Sequence, residues 1–134
     1  MSRRALLAED DVNLRTLLVQ VLEQGGYTVV AAANGREAWE HLCDQEPEVV
    51  VTDIRMPERT GLDVLEQLRR EGSFVPVVLM SGCIDGVEQL ASFHGAVVLA
   101  KPFCGPELLR AIELAPEVAA KAFLALSEPL RTAG

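Results

Sequence analysis

Five side chains able to do chemistry stand at the ends of short apolar runs. Glu9 and Asp10 follow Ala5-Leu6-Leu7-Ala8, and Asp53 follows Val49-Val50-Val51-Thr52. Ser81 follows Val77-Val78-Leu79-Met80, and Lys101 follows the run 96–100. A short β-branched run closed by turn signals suits a strand buried on both faces. In an open parallel sheet the carboxyl ends of the strands lie along one edge, where ligands are held. Three carboxylates, a hydroxyl and an ammonium would then converge. Each has an ordinary explanation taken alone. Glu9-Asp10-Asp11 could cap a helix, Asp53 could cap a turn, Ser81 could be a turn residue, and Lys101 could be solvated. Their joint placement at four strand ends is what calls for a site.

The intervening segments are those needed to position these ends. Leu14, Leu17, Leu18, Val21 and Leu22 recur at helical spacing until Gly25-Gly26 stops them. Residues 28–32 form a second strand. Asn34 caps a helix carrying Ala38 and Leu42, which ends before Pro47. Thr60 with Asp63 three residues on is a weak capping-box pattern. The helix it opens carries Leu62, Val64, Leu65 and Leu68, closes with Arg69-Arg70 and stops at Gly72. A poorly signalled helix runs over roughly 86–93. Pro106 suits the first position of a last helix with Leu108, Leu109 and Ile112 on its apolar stripe. Pro116 interrupts that helix. Beyond it Ala119, Ala122, Phe123 and Leu126 resume helical spacing, and this tail is read as a helix folded back on the domain rather than a docking or dimerisation helix. Five strands alternating with helices imply right-handed βαβ units and a parallel sheet covered on both faces.

Composition narrows the class. The 134 residues make one domain, and 49% hydrophobic residues suffice for a core that is Leu, Val, Ile and Ala because only 4% are aromatic. The net charge of −8 argues against a nucleic-acid surface and permits a cation site lined by carboxylates. No apolar run reaches the ~18 residues of a membrane span, and acids interrupt the first run too early for a signal peptide. A cytoplasmic protein with reduced thiols is expected. Cys43, Cys83 and Cys104 form no C-x-x-C. His41 and His94 have no metal-ligand or triad partner in sequence.

The chain resembles a receiver domain of the bacterial two-component response-regulator family. The matching pieces are Leu7-Ala8-Glu9-Asp10-Asp11, Asp53-Ile54-Arg55-Met56-Pro57 with Gly61, Met80-Ser81-Gly82 and Lys101-Pro102-Phe103. They come in the family's order and cover about residues 4–116. The resemblance implies a flavodoxin-like three-layer (βα)5 fold with a central five-stranded parallel sheet of order 2-1-3-4-5. It implies that Asp53 is the phosphoacceptor for a sensor histidine kinase or phosphotransfer protein. Ionised carboxylates can attack a phosphohistidine without a general base. It implies Mg²⁺, with Mn²⁺ able to stand in, on Asp10, Asp53 and the main-chain carbonyl of Arg55, and Glu9 acting through a metal-bound water. Lys101, Ser81 and Gly82 would receive the phosphoryl group, Pro102 is a candidate for a cis peptide or turn, and Arg55 and Cys83 would tune phosphoryl lifetime. Output is expected through the surface of the fourth helix, fifth strand and fifth helix, by contact with a downstream protein of unknown identity. Neither nucleic acid nor membrane is expected as a partner, and the chain is expected to be a monomer or a phosphorylation-dependent homodimer. It is read as a phosphoacceptor assisting its own phosphorylation and dephosphorylation rather than as an enzyme. Residues 1–116 are the receiver and 117–134 a short helical tail with no output domain.

Two features depart from the family. Val98 stands where the fifth strand usually carries an aromatic, and the segment from Ser81 to Lys101 is a residue or two short. The second reading is therefore a receiver-like scaffold that works unphosphorylated. An aspartate-dependent phosphohydrolase would need a second acid two residues past its nucleophile, where Arg55 stands. A flavodoxin would need a Ser/Thr/Gly-rich phosphate loop where Glu9-Asp10-Asp11 stands. A redox link between Cys83 and Cys104 is a minor hypothesis beside two reduced thiols.

Overall fold

The computed structural model describes residues 3–83 and 86–127, without the Ser127 side chain. Five strands alternate with five helices: β1 (Arg3–Ala8), α1 (Val12–Gln24), β2 (Tyr27–Ala32), α2 (Gly35–Asp44), β3 (Val49–Asp53), α3 (Gly61–Arg70), β4 (Val77–Ser81), α4 (Val87–Phe93), β5 (Ala96–Ala100) and α5 (Gly105–Ser127). All strand pairs are parallel, in the order β2-β1-β3-β4-β5. The interior strands β3 and β4 are buried along their whole length. That is why they read as uninterrupted apolar runs: a strand covered on both faces has no solvent side to mark with polar residues.

Successive side chains on a strand face opposite sides of the sheet, so each run feeds two cores. Leu6, Val50, Val77 and Leu79 pack with Ala38, Val64, Leu65 and Ala91 beneath α2, α3 and α4. Leu7, Val49, Val51, Val78 and Met80 pack with Leu18, Leu22, Leu108 and Ile112 beneath α1 and α5.

The helix starts follow their caps. Asp11 accepts from the N–H groups of Asn13 and Leu14, and Asn34 from that of Glu37. Thr60 and Asp63 form a reciprocal capping box, each satisfying a donor the first helical turn leaves open. The weak signal before α4 has a matching cause: its N-cap, Gly86, has no side chain to cap with.

Two expectations change. Gly105 opens α5, so Pro106 is its second residue, and Pro116 does not interrupt it. An interior proline removes one backbone hydrogen bond and costs about 3 kcal/mol or more. The helix carries that cost because Ala115, Ala119 and Ala122 on either side of Pro116 are buried against the domain. Up to residue 127 the tail is thus a continuation of α5 rather than a separate folded-back helix, and the expected helix beyond it, over 128–134, lies outside the described residues. Phe123 extends the contact, meeting Phe74 edge-to-face at 5.2 Å. At the same end of the sheet the Arg69 guanidinium donates to the carbonyls of Ser73, Val75, His94 and Gly95. Burial pulls its pKa down to about 10, so it stays charged at neutral pH.

Candidate functional site

Strand register brings the five reactive side chains together. Ala8 pairs with Thr52, Thr52 with Leu79, and Leu79 with Val98. One step beyond that level stand Glu9 and Asp53, and the next step holds Asp10 and Ser81. Ser81 pairs with Ala100, so Lys101 follows at the same edge. Parallel strands share a direction, which is why residues so far apart in sequence finish on one rim.

The Lys101 ammonium lies 3.0 Å from Glu9 Oε1 and 3.0 Å from Asp53 Oδ2. Glu9, Asp10 and Asp53 each offer one oxygen within 4.8 Å of the others. Glu9 is 1% exposed and Asp53 7%, whereas Asp10 is open to solvent. Burial pushes the Glu9 carboxyl above its usual pKa, against the opposing pull of the Asp11 N–H and Lys101. Burial works to lower the Lys101 pKa, but its bonds to Asp53 and Glu9 outweigh that and hold the ammonium above its ordinary value. Three carboxylates against one ammonium leave two negative charges uncompensated when all are ionised. Among the described residues no other cation forms an ion pair with them. This all-oxygen donor set fits a hard divalent cation.

A cavity of about 330 Å³ opens over Asp53, lined by Arg55, Ser81, Gly82, Cys83 and Lys101. The Ser81 hydroxyl donates to the Cys83 carbonyl at 2.6 Å and accepts from the Cys83 N–H at 3.1 Å. Its proton is therefore committed to the Cys83 carbonyl. The Lys101–Pro102 peptide is cis. Val98 is partly buried and packs into the core beneath α2, α3 and α4. The cysteines at 43, 83 and 104 are free and exposed. Cys83 lines the cavity over Asp53, while Cys104 lines a separate apolar groove against α1. His41 is exposed, and His94 Nε2 lies 3.8 Å from Glu66.

The structure adds two supporting residues that sequence reasoning did not single out, Arg15 and Thr52, and gives the reason for Gly61 in the sequence pattern. Arg15 Nη1 donates to the Glu9 main-chain carbonyl at 2.8 Å. Its only sequence signal is a cation one turn inside a helix that starts beside the acids. Thr52, 1% exposed, donates its hydroxyl to the Asp53 carbonyl at 2.9 Å. Gly61 lets the first turn of α3 lie against that same carbonyl, because a β-carbon there would sit 2.3 Å from the Asp53 oxygen.

With this geometry in hand, residues 5–113 match the family model described as the response regulator receiver domain. The chain belongs to the response-regulator receiver family. It is 36% identical over 111 residues to the response regulator MprA of Mycobacterium ulcerans, covering 81% of this chain and 48% of that protein. It is 34% identical over 116 residues to the transcriptional regulatory protein PdtaR of Mycobacterium tuberculosis, covering 84% of this chain and 56% of that one. The receiver thus spans about half the length of these curated relatives. Among solved structures, the chemotaxis response regulator CheY4 of Vibrio cholerae superimposes with a TM-score of 0.78 at 25% identity, over 86% of this chain and 99% of that one. The response regulator TrrA of Thermotoga maritima, solved in complex with Mg²⁺-BeF, gives 0.76 at 28% identity, over 83% and 96%. The flavodoxin-like order expected from the resemblance is the order observed. Among the described residues no helix is long and apolar enough to cross a membrane.

Proposed function

We propose that this receiver accepts a phosphoryl group on Asp53 from the phosphohistidine of a sensor histidine kinase or a phosphotransfer protein. The observation that carries the reading is the Asp53–Lys101 contact of 3.0 Å within a cluster of three carboxylates. An Asp53 oxygen attacks phosphorus, a P–O bond forms, and the P–N bond to the imidazole breaks. The imidazole leaves with that electron pair. Lys101 brings its compact positive charge to the phosphoryl oxygens as they arrive. Ser81 then turns its hydroxyl from the Cys83 carbonyl to a phosphoryl oxygen. Asp10, Asp53 and the Arg55 main-chain carbonyl would hold Mg²⁺, with Glu9 acting through a water and Mn²⁺ suiting the same oxygens. Bound there, the ion supplies the positive charge that offsets repulsion between the carboxylates and the phosphoryl group. Arg55 and Cys83 flank the phosphoryl position and tune its lifetime.

The rearranged Ser81 and Lys101 bias the surface of α4, β5 and α5, through which the receiver signals by protein contact. Residues 1–116 form the receiver and α5 continues beyond them, to residue 127, as a short helical tail in a cytoplasmic protein that binds neither nucleic acid nor membrane. It is a monomer that dimerises, if at all, on phosphorylation. Val98, in place of the usual aromatic, favours a second reading, a receiver that contacts its target unphosphorylated.

Intact-mass spectrometry after incubation with acetyl phosphate and Mg²⁺, beside Asp53→Asn, tests the proposal. One added phosphoryl group on the wild type, lost without Mg²⁺ and in the variant, is expected. No added mass on the wild type, together with no binding of beryllofluoride, would overturn it in favour of the second reading.

A further inference from the structure

The loop that carries Asp53 into α3 contains a strained turn. Glu58 has φ +71°, and it is the one non-glycine with positive φ among the described residues. The Arg59 N–H donates back to the Pro57 carbonyl at 2.8 Å, closing a three-residue turn around Glu58. A γ-turn of this hand is rare and strained for an L-residue. Such a conformation persists only where its surroundings over-determine it.

Several contacts could supply that restraint. Arg36 pairs with Glu58 at 3.0 Å, but both side chains are about half exposed, 52% and 50%, and a solvated pair of that kind contributes little. Arg59 is better placed. Its guanidinium lies over the Trp39 ring of α2, 5.3 Å from the centroid. Nη2 donates to the Gln67 side chain and, at 3.4 Å, to the Asp63 carbonyl, both on α3. The Arg59 main-chain oxygen is so close to Gly35 of α2 that a β-carbon there would sit 2.1 Å away. One residue thus grips α2 through an aromatic face and α3 through two hydrogen bonds from Nη2, a planar guanidinium being able to stack and to donate in its plane at once.

We propose that Arg59 is a positioning residue for phosphoryl transfer: it braces the β3–α3 loop between α2 and α3 and holds the strained turn at Glu58, which fixes Arg55 over the acidic cluster. The inference rests on the phosphoacceptor reading. It makes α2, a helix that contributes no residue to the cavity over Asp53, a determinant of how well that site works. The brace acts by restricting the loop, so its loss shows as weaker use of the metal rather than as a lost ligand.

The tests are the dissociation constant for Mg²⁺ alone, by isothermal titration calorimetry on the full chain, and the Mg²⁺ concentration that half-saturates its phosphorylation by acetyl phosphate, read by intact mass; the two values should move together. Arg59→Met keeps the aliphatic length and removes the guanidinium. Its half-saturating Mg²⁺ is expected to rise about tenfold, equivalent to about 1.4 kcal/mol. Glycine takes positive φ without strain, so adding Glu58→Gly to Arg59→Met should return the value to within about threefold of wild type. A structural defect elsewhere would not be rescued this way. Trp39→Leu, which removes the brace from the α2 side, should move the value in the same direction, and it replaces Arg59→Met as the deciding variant if that protein does not fold. Variants equal to wild type, or a double variant no better than Arg59→Met, would overturn the brace alone. A wild type that takes up no phosphoryl group at any Mg²⁺ concentration would overturn the phosphoacceptor reading and the brace with it.

Discussion

Replacing Gly61 by alanine would put a methyl carbon 2.3 Å from the Asp53 carbonyl oxygen, 3.1 Å from its carbon and 3.2 Å from Ile54 Cα. Carbon and carbonyl oxygen normally approach no closer than about 3.3 Å, so roughly 1 Å of separation must open. All three obstructing atoms are backbone, so no side chain can swing aside. The helix cannot retreat freely either, because the Gly61 N–H donates to the Ile54 carbonyl at 2.8 Å. Overpacking of this kind costs about 1–3 kcal/mol, and a stretched backbone hydrogen bond adds about 1 kcal/mol. Alanine returns roughly 1 kcal/mol through helix propensity and a less flexible unfolded chain. The balance is a loss of about 1–3 kcal/mol, and two of the three obstructing atoms belong to Asp53. Gly82→Ala is the control: it lines the same cavity, yet a β-carbon there meets nothing within 4 Å. Its stability should stay within about 0.5 kcal/mol of wild type. Urea unfolding midpoints at unchanged m-value give both numbers, and acetyl phosphate labelling reports whether Asp53 has moved. A Gly61→Ala protein as stable and as quickly labelled as the wild type would refute the claim that this contact sets the position of Asp53.

Three further outcomes follow from the same geometry. Lys101 is held above its ordinary pKa of 10.5, so its contribution to stability is complete below that pH and fades as pH climbs through the raised value. Urea midpoints at pH 9 and above pH 11 should therefore fall more in the wild type than in Lys101→Met. Asp63 is held below its ordinary 3.8, chiefly by the Thr60 N–H, so its cap is intact above that pH and fails on further acidification. Asp63→Ala should lose stability at neutral pH, by about 0.5–1 kcal/mol for a cap of this kind, and should flatten the acid limb of the wild-type profile. Mg²⁺ at tenfold over its dissociation constant should stabilise the wild type by about 1.4 kcal/mol, and the shift should largely vanish in Asp10→Asn when thermal midpoints are compared.

Much of this protein is legible along the chain because it is local. The runs at 49–52 and 77–80 read as buried strands because nearby residues share one environment. Asn34 and Thr60 read as caps because a helix start needs an acceptor within three residues. Glu9, Asp53, Ser81 and Lys101 could be placed on one rim from the alternation alone, since parallel strands all end on the same side. The strand order came from family likeness, because alternation does not say which strand neighbours which. What only the tertiary structure decided is where distant segments cross. Arg15 reaches the Glu9 carbonyl and Arg69 reaches four carbonyls, and a main-chain oxygen carries no sequence signature of who will approach it. Arg59 meets Trp39 only because α2 and α3 lie side by side. The helix runs through Pro116 because burial of Ala115, Ala119 and Ala122 outweighs a local penalty. Local preferences fix the elements and their ends, while the contacts that hold Asp53 and its loop in place depend on packing between segments whose separation in sequence says nothing of their distance in space.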